Sequence, residues 1–287
     1  MRGARNLMML AMAAAIAACA TAAAPISTSP AAALATPAVS EPAAASVPST
    51  ARAASGGYLP AKAVDMLAVM PPAPQEGDAR YENDRRIFRE TRALEGSARW
   101  KMATDDADLS NAAMLRHFSC SIDIELTPQQ APRLLDFLQK ASRDALQVAG
   151  QAKDHFKRQR PFLIDNGPLC VDRATVAGSY DYPSGHTTMG WDWALVLAQV
   201  TPEHANAIFA RGRAIGDSRI VCGVHNASAV DAARVATSAT MALVTATPEY
   251  QADLAVARAE LSALRAAAHV QPEPQRCAQE VELEKLP

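Results

Sequence analysis

Seven residues suited to holding or transferring an oxyanion fall into three clusters between positions 153 and 225. Lys153 precedes Arg160-Pro161, Ser184-Gly185-His186 follows Tyr182-Pro183, and Ser218-Arg219 precedes His225. A planar guanidinium matches two phosphate oxygens at once and an ammonium adds a compact charge, so Lys153, Arg160 and Arg219 have the chemistry of an anion site. Two histidines add a reaction. A neutral imidazole can attack phosphorus while a second, protonated one gives its proton to the leaving oxygen. Solvated surface charge is the bland alternative for each cluster, and it covers Lys157 and Arg158 more readily than Lys153 and Arg160.

The chain around each cluster has the punctuation needed to position it. Residues 182–188 lead into an apolar run over 189–198, which predicts a helix start. Unpaired N–H groups in a first helical turn make an anion seat, Ser184 adds a hydroxyl, and Gly185 lets the backbone come close. Lys153 is expected at the end of a helix, and Pro161 stops further helix and biases Arg160 to an extended conformation. Residues 216–223 are expected to end another helix and pass through a small-residue turn that presents Arg219 and His225 together.

Three further helices begin on Thr-Pro pairs, with Thr as N-cap and Pro in the first turn: Thr127-Pro128, Thr201-Pro202 and Thr247-Pro248. At the first, Gln130 completes a capping box, and apolar residues from Leu134 to Ala149 recur at helical spacing. The predicted spans are 128 to about 153, 202–214 and 248–267, with another helix over 229–245. Residues 77–94 predict an amphipathic helix with Arg80, Arg85, Arg86, Arg89 and Arg92 on a solvated face. With abundant Ala and few aromatics the chain leans towards helices, in a folded domain expected over residues 56–270 followed by a polar tail, 271–287.

The patterns Lys153-x6-Arg160-Pro161, Pro183-Ser184-Gly185-His186 and Ser218-Arg219-x5-His225 resemble the signature of the bacterial class A non-specific acid phosphatases. These lie within the group that includes type 2 phosphatidic acid phosphatases and vanadium haloperoxidases. The stretches 81–84 to 108–109, 190–197 and 221–225 resemble that family too. The resemblance implies an all-α fold, a single helical-bundle phosphatase domain acting on small phosphomonoesters, with no metal or other cofactor and a covalent phosphohistidine intermediate. It casts His225 as nucleophile, His186 as general acid, and Lys153, Arg160, Ser184, Gly185 and Arg219 as phosphate ligands. A vanadium-dependent haloperoxidase is the alternative enzyme. The sequence departs from the pattern at Ala229, where the family has an Asp that orients the nucleophilic His; this opens a third reading, a catalytically weakened phosphate-binding protein. Asp231 is the nearest carboxylate, and it reads better as a helix-capping partner, with Ser228 as N-cap, than as the orienting group.

The 287 residues are 49% hydrophobic and 20% charged with a formal net charge of −2, and their basic residues are interspersed with acidic ones. That argues against a nucleic-acid partner. Arg2 and Arg5 precede an apolar run over residues 7–18, an export signal expected to occupy residues 1–24. Two endings stay open, a lipobox that would lipidate Cys19 and an ordinary cleavage site at residues 22–24. Residues 25–55, rich in Ala and Pro, are expected to be a tether. The protein would be periplasmic or otherwise exported, its oligomeric state open, a homo-oligomer included. Cys120, Cys170, Cys222 and Cys277 then suggest two disulfides; of the three pairings, Cys120–Cys170 with Cys222–Cys277 is favoured over the other two.

Overall fold

Residues 185–200 carry apolar side chains on all sides of a helix, a pattern that only a fully enclosed helix can satisfy. The computed structural model describes residues 56–267 and 269–286; the expected export signal over 1–24, Cys19 included, and the expected tether over 25–55 lie outside the described residues. Among the described residues there are helices, short 3-10 turns and loops, with no strand. In chain order the helices are α1 (Met66–Val69), α2 (Ala79–Thr91), α3 (Ala98–Asp105), α4 (Asn111–Ile122), α5 (Pro132–Phe156), α6 (Gly185–Val200), α7 (Ala205–Val221), α8 (Ala227–Val244), α9 (Pro248–Ala266) and α10 (Pro274–Leu283). The fold is all-α.

Helix α6 is the centre, packed by α5, α7, α8 and α9. It meets α7 through small residues: a Cβ on Gly212 would lie 2.4 Å from Ala194 Cβ, so larger residues there would push the two helices apart. Trp193, Val196 and Leu197 of α6 join Leu134 and Leu138 of α5, Ile208 and Ile215 of α7, and Tyr250 and Leu254 of α9 in one core. Helix α5 buries Leu134, Leu135, Leu138, Ala141, Ala145 and Ala149, the stripe its spacing predicts. No helix among the described residues is long and apolar enough to cross a membrane.

Several boundaries differ from the sequence reading. The Thr127–Gln130 box forms, with Thr127 N donating to Gln130 Oε1 at 3.0 Å and Gln130 N to Thr127 Oγ1 at 3.3 Å. It closes an isolated turn, and α5 starts only at Pro132. Thr201-Pro202 opens a 3-10 turn, Pro202–His204, before α7, which runs through residues 216–218 to Val221 instead of ending near 214. Arg219 is therefore on the helix, and the turn follows it at Cys222–Gly223. Gly223 has φ +77°, and a Cβ there would fall 2.4 Å from Arg92 Nη1. Arg92 is not on a solvated face: its guanidinium donates to the Ile220 and Val221 carbonyls, closing the C-terminus of α7.

The 271–287 stretch is not only a polar tail. Glu273 caps α10, whose Arg276 pairs with Glu125 and whose Glu280 lies 3.2 Å from Arg211. The disulfides correct the favoured pairing. They are Cys120–Cys277, tying α4 to α10, and Cys170–Cys222, with Cα separations of 5.3 and 4.7 Å. Pairing follows which segments the fold brings within bridging distance, which cysteine order along the chain does not encode.

Candidate active site

Four helix ends meet at one place: α5 and α7 finish there, α6 and α8 begin there. Ser184 N donates to the Ala229 carbonyl at 3.0 Å, joining the two starts. Lys153 occupies the last turn of α5, which Lys157 closes in the left-handed conformation, φ +47°. Its Nζ donates to the Tyr180 carbonyl, and its Cε lies 4.0 Å from where a Cβ of Gly185 would stand. Arg160 is extended (φ −72°, ψ 152°), as its following proline requires, and buried. It donates through Nε to Ser179 O at 2.8 Å and through Nη1 to Val224 O at 2.7 Å. Lys153 and Arg160 thus converge on adjacent carbonyls of one segment.

Ser184 is the N-cap of α6. Its Oγ accepts from Thr187 N at 3.4 Å and from Thr187 Oγ1 at 2.9 Å, which leaves its own hydroxyl proton to donate. Gly185 and His186 follow in the first turn, beyond the reach of any intrahelical carbonyl. Arg219 is buried on α7, and its Nε and Nη1 have no hydrogen-bond partner. Two unsatisfied donors on a buried guanidinium are costly unless something anionic takes them.

His186 Nε2 donates to the Ala107 carbonyl at 3.1 Å. That carbonyl lies in the α3–α4 turn, where Asp106, fully buried, accepts from Arg211 and from Ser218 Oγ. The turn therefore holds His186 with one hand and the residue beside Arg219 with the other. Burial, reinforced by Arg219, Arg160 and Lys153, lowers His186 to about 3. Lys153 falls to about 8, from burial and then from Arg160. Arg219 falls to about 10 for the same reasons. Each cation destabilises the others, so the site carries an excess of positive charge that a bound dianion would relieve.

His225 lies between α7 and α8, buried, its backbone N bonded to the Arg219 carbonyl at 3.2 Å. Its Nε2 is 3.1 Å from Arg160 Nη1 and its Nδ1 is 2.9 Å from Asp181 Oδ1. A guanidinium only donates, so Nε2 must present its lone pair and Nδ1 must carry the hydrogen. Burial, then Arg160 and Lys153, hold His225 well below the usual imidazole range, so the ring is neutral.

All seven residues singled out by spacing thus come together. Asp231 does not join them. It lies in the second turn of α8, its side chain 74% exposed and 3.2 Å from Arg234. Nor does it cap the helix, because the N-cap is Asn226, not Ser228. Arg158, expected in solvent, is buried, bonded to Asp84 Oδ2 at 2.8 Å and Ser228 Oγ at 2.7 Å. Asp181 is the carboxylate that sequence reasoning missed. The available signal was a lone acid two residues before Pro183, in a chain lacking the expected one at 229.

The PAP2 superfamily model matches residues 141–253, the span that holds Asp181 and all seven residues singled out by spacing. An acid phosphatase from Zymomonas mobilis is 39% identical over 207 residues, covering 71% of this chain and 78% of that protein. A non-specific acid phosphatase from Providencia stuartii is 35% identical over 207 residues, covering 71% and 84%. One from Salmonella typhimurium is 34% identical over 208 residues, covering 71% and 83%. A helical core that gathers two histidines and three cations at converging helix ends, with relatives matched across most of their length, places this chain in the PAP2 superfamily, among the non-specific acid phosphatases.

Proposed function

We propose that the protein hydrolyses phosphate monoesters through a phosphohistidine. The observation that carries this reading is the buried guanidinium of Arg219 with two unpartnered nitrogens, beside Lys153, Arg160 and a neutral His225. Lys153, Arg160, Arg219, the Ser184 hydroxyl and the N–H groups of Gly185 and His186 take the non-bridging oxygens. Arg160 Nη1 gives up the His225 Nε2 lone pair, which attacks phosphorus as the bond to the leaving oxygen breaks. His186 holds Ala107 O through Nε2, so Nδ1 picks up the proton and passes it to that oxygen. Water then attacks the phosphohistidine, giving its proton back to His186, and inorganic phosphate leaves.

Burial is the larger part of what holds His186 near 3, and a dianion among the three cations offsets the part that Arg219, Arg160 and Lys153 add. Substrate binding and proton uptake are thus coupled, which supports a preference for acid pH. Phosphate charge is met entirely by protein cations, which supports turnover without a divalent metal. The two disulfides, with the apolar run at 7–18, support an exported protein; lipidation at Cys19 and ordinary cleavage remain its two endings.

Purified protein should hydrolyse p-nitrophenyl phosphate in the presence of chelator and be inhibited by vanadate. His225→Ala should form no phosphoenzyme. His186→Ala should keep some labelling by p-nitrophenyl phosphate and lose far more turnover on an alkyl phosphate, whose leaving group needs its proton. Undiminished hydrolysis by His225→Ala would overturn the reading. Bromide oxidation by the vanadate-loaded protein, with negligible phosphatase activity, would favour the haloperoxidase instead.

A further inference from the structure

We infer that Asp181 is the positioning carboxylate of His225, supplied from the α5–α6 connection in place of the residue that the phosphatase pattern has at 229. The inference rests on the reading of His225 as phosphoryl acceptor. Two neighbours fix the ring: Arg160 Nη1 at 3.1 Å requires a lone pair on Nε2, and Asp181 Oδ1 at 2.9 Å receives the Nδ1 hydrogen. Nε2 is then the only nitrogen able to attack, and it is the one that faces the cations. Burial pushes Asp181 up to about 6 against the pull of Arg158 and Asn226. When Nε2 takes the phosphoryl group the ring becomes cationic, and that new charge in contact with Asp181 favours its ionised form.

Asp181 is itself held from several sides, as such a role requires. Asn226 donates to it through backbone N at 3.1 Å and through Nδ2 at 2.8 Å, so the residue after His225 grips both carboxylate oxygens. Asp181 N donates to Arg158 O at 2.9 Å, and Arg158 Nη1 stands 3.4 Å from Oδ2. Arg158 is anchored in turn by Asp84, which also accepts from Ser228 N at 2.9 Å in the first turn of α8. The carboxylate has no exposure and little freedom. Position 229 is meanwhile committed elsewhere: Ala229 is fully buried against a cluster that includes Met66, Met70, Val148 and Tyr182. Nδ1 has one hydrogen, so a carboxylate at 181 and one at 229 are alternative solutions to the same requirement. The segment that carries Lys153's and Arg160's carbonyl partners, Tyr180 and Ser179, also carries the acid.

The first measurement needs no variant. Nitrogen-15 and proton NMR of the wild-type imidazoles should show His225 as the Nδ1–H tautomer with its proton shifted far downfield; an unprotonated Nδ1 would overturn the proposal. Asp181→Asn should then lower kcat on p-nitrophenyl phosphate by roughly 10³–10⁴-fold, the scale set by loss of the orienting carboxylate in a Ser-His-Asp site. Competitive inhibition by inorganic phosphate should stay within about threefold, because the phosphate ligands are untouched, and the downfield signal should disappear. Asp181→Glu should recover part of kcat. A folded Asp181→Asn protein with kcat within threefold of wild type, or one whose loss lies entirely in KM, would overturn the assignment. Failure of the functional reading has its own mark, normal hydrolysis by His225→Ala, and leaves the tautomer measurement to stand or fall alone.

Discussion

Residues at 229 and 231 show how a motif can be right in chemistry and silent about geometry. The sequence points to a missing carboxylate and offers Asp231 as its nearest substitute, yet in the structure His225 Nδ1 already has Asp181 at 2.9 Å. Ala229→Asp should therefore bring no gain in kcat. It would bury a second carboxylate in an apolar cluster, and thermal denaturation should show a loss on the order of 1–3 kcal/mol. A rise in kcat would mean that Asp181 leaves His225 under-stabilised. Asp231→Ala removes only an exposed pair with Arg234 and should change stability by at most about 1 kcal/mol, with turnover intact. Lys153, Arg160, Ser184, Gly185, His186, Arg219 and His225 were legible because each sits beside a proline, a glycine or a helix terminus that fixes its backbone locally. Asp181 was not, because its place two residues before Pro183 does not reveal that its partner is His225, 44 residues away.

At the scale of elements, the long amphipathic α5 could be read from periodicity, α6 from its apolar run over 189–198, and α9 from its Thr-Pro start. The connection between α5 and α6 could not. It has only two 3-10 turns, Pro161–Leu163 and Arg173–Thr175, and it is shaped by long-range anchors: Arg160 on Ser179 O, Lys153 on Tyr180 O, Asp181 N on Arg158 O, and the Cys170–Cys222 disulfide. A connection this long inside a packed domain is usually functional, and here it delivers Asp181. The disulfide joins it to the turn just before His225, where Cys170 N also donates to Cys222 O at 3.2 Å. Cys170→Ala with Cys222→Ala should cost about 2–4 kcal/mol of stability and also lower kcat several-fold or more, since it loosens the segment that carries Asp181. Cys120→Ala with Cys277→Ala should cost a similar stability while kcat stays within about threefold, because that bridge fastens α10 to α4. Denaturant titrations and steady-state kinetics on both double variants check the contrast; equal kcat losses would mean that the first disulfide has no special hold on the site.

Across the whole molecule, buried titratable groups pull stability in opposite directions as pH changes. His186, lowered to about 3, binds no proton in the folded state where the unfolded chain does, so its contribution is lost as pH falls below about 6.5. Asp192 works the other way. It sits fully buried on α6, 2.7 Å from Ser142 Oγ, and Ser142 Oγ also lies 2.9 Å from the Leu138 carbonyl. A hydroxyl has one proton, so both contacts are satisfied only if Ser142 donates to Leu138 O and a protonated Asp192 donates to Ser142. Asp192 Oδ1 has no partner, which a neutral acid tolerates and a buried carboxylate does not. Burial raises Asp192 to about 7. The folded protein then keeps a proton that the unfolded chain releases near pH 4, and the resulting stabilisation declines as pH rises from about 4 to about 7. Asp192→Asn removes this dependence while keeping a donor for Ser142. Urea denaturation at pH 5 and pH 8 should show the wild type losing roughly 2–3 kcal/mol relative to the variant across that interval, at about 1.4 kcal/mol per pH unit below the folded pKa. A difference between the two proteins that does not change with pH would mean that Asp192 is ionised in the core, and the acid-favouring half of the balance would have to come from elsewhere.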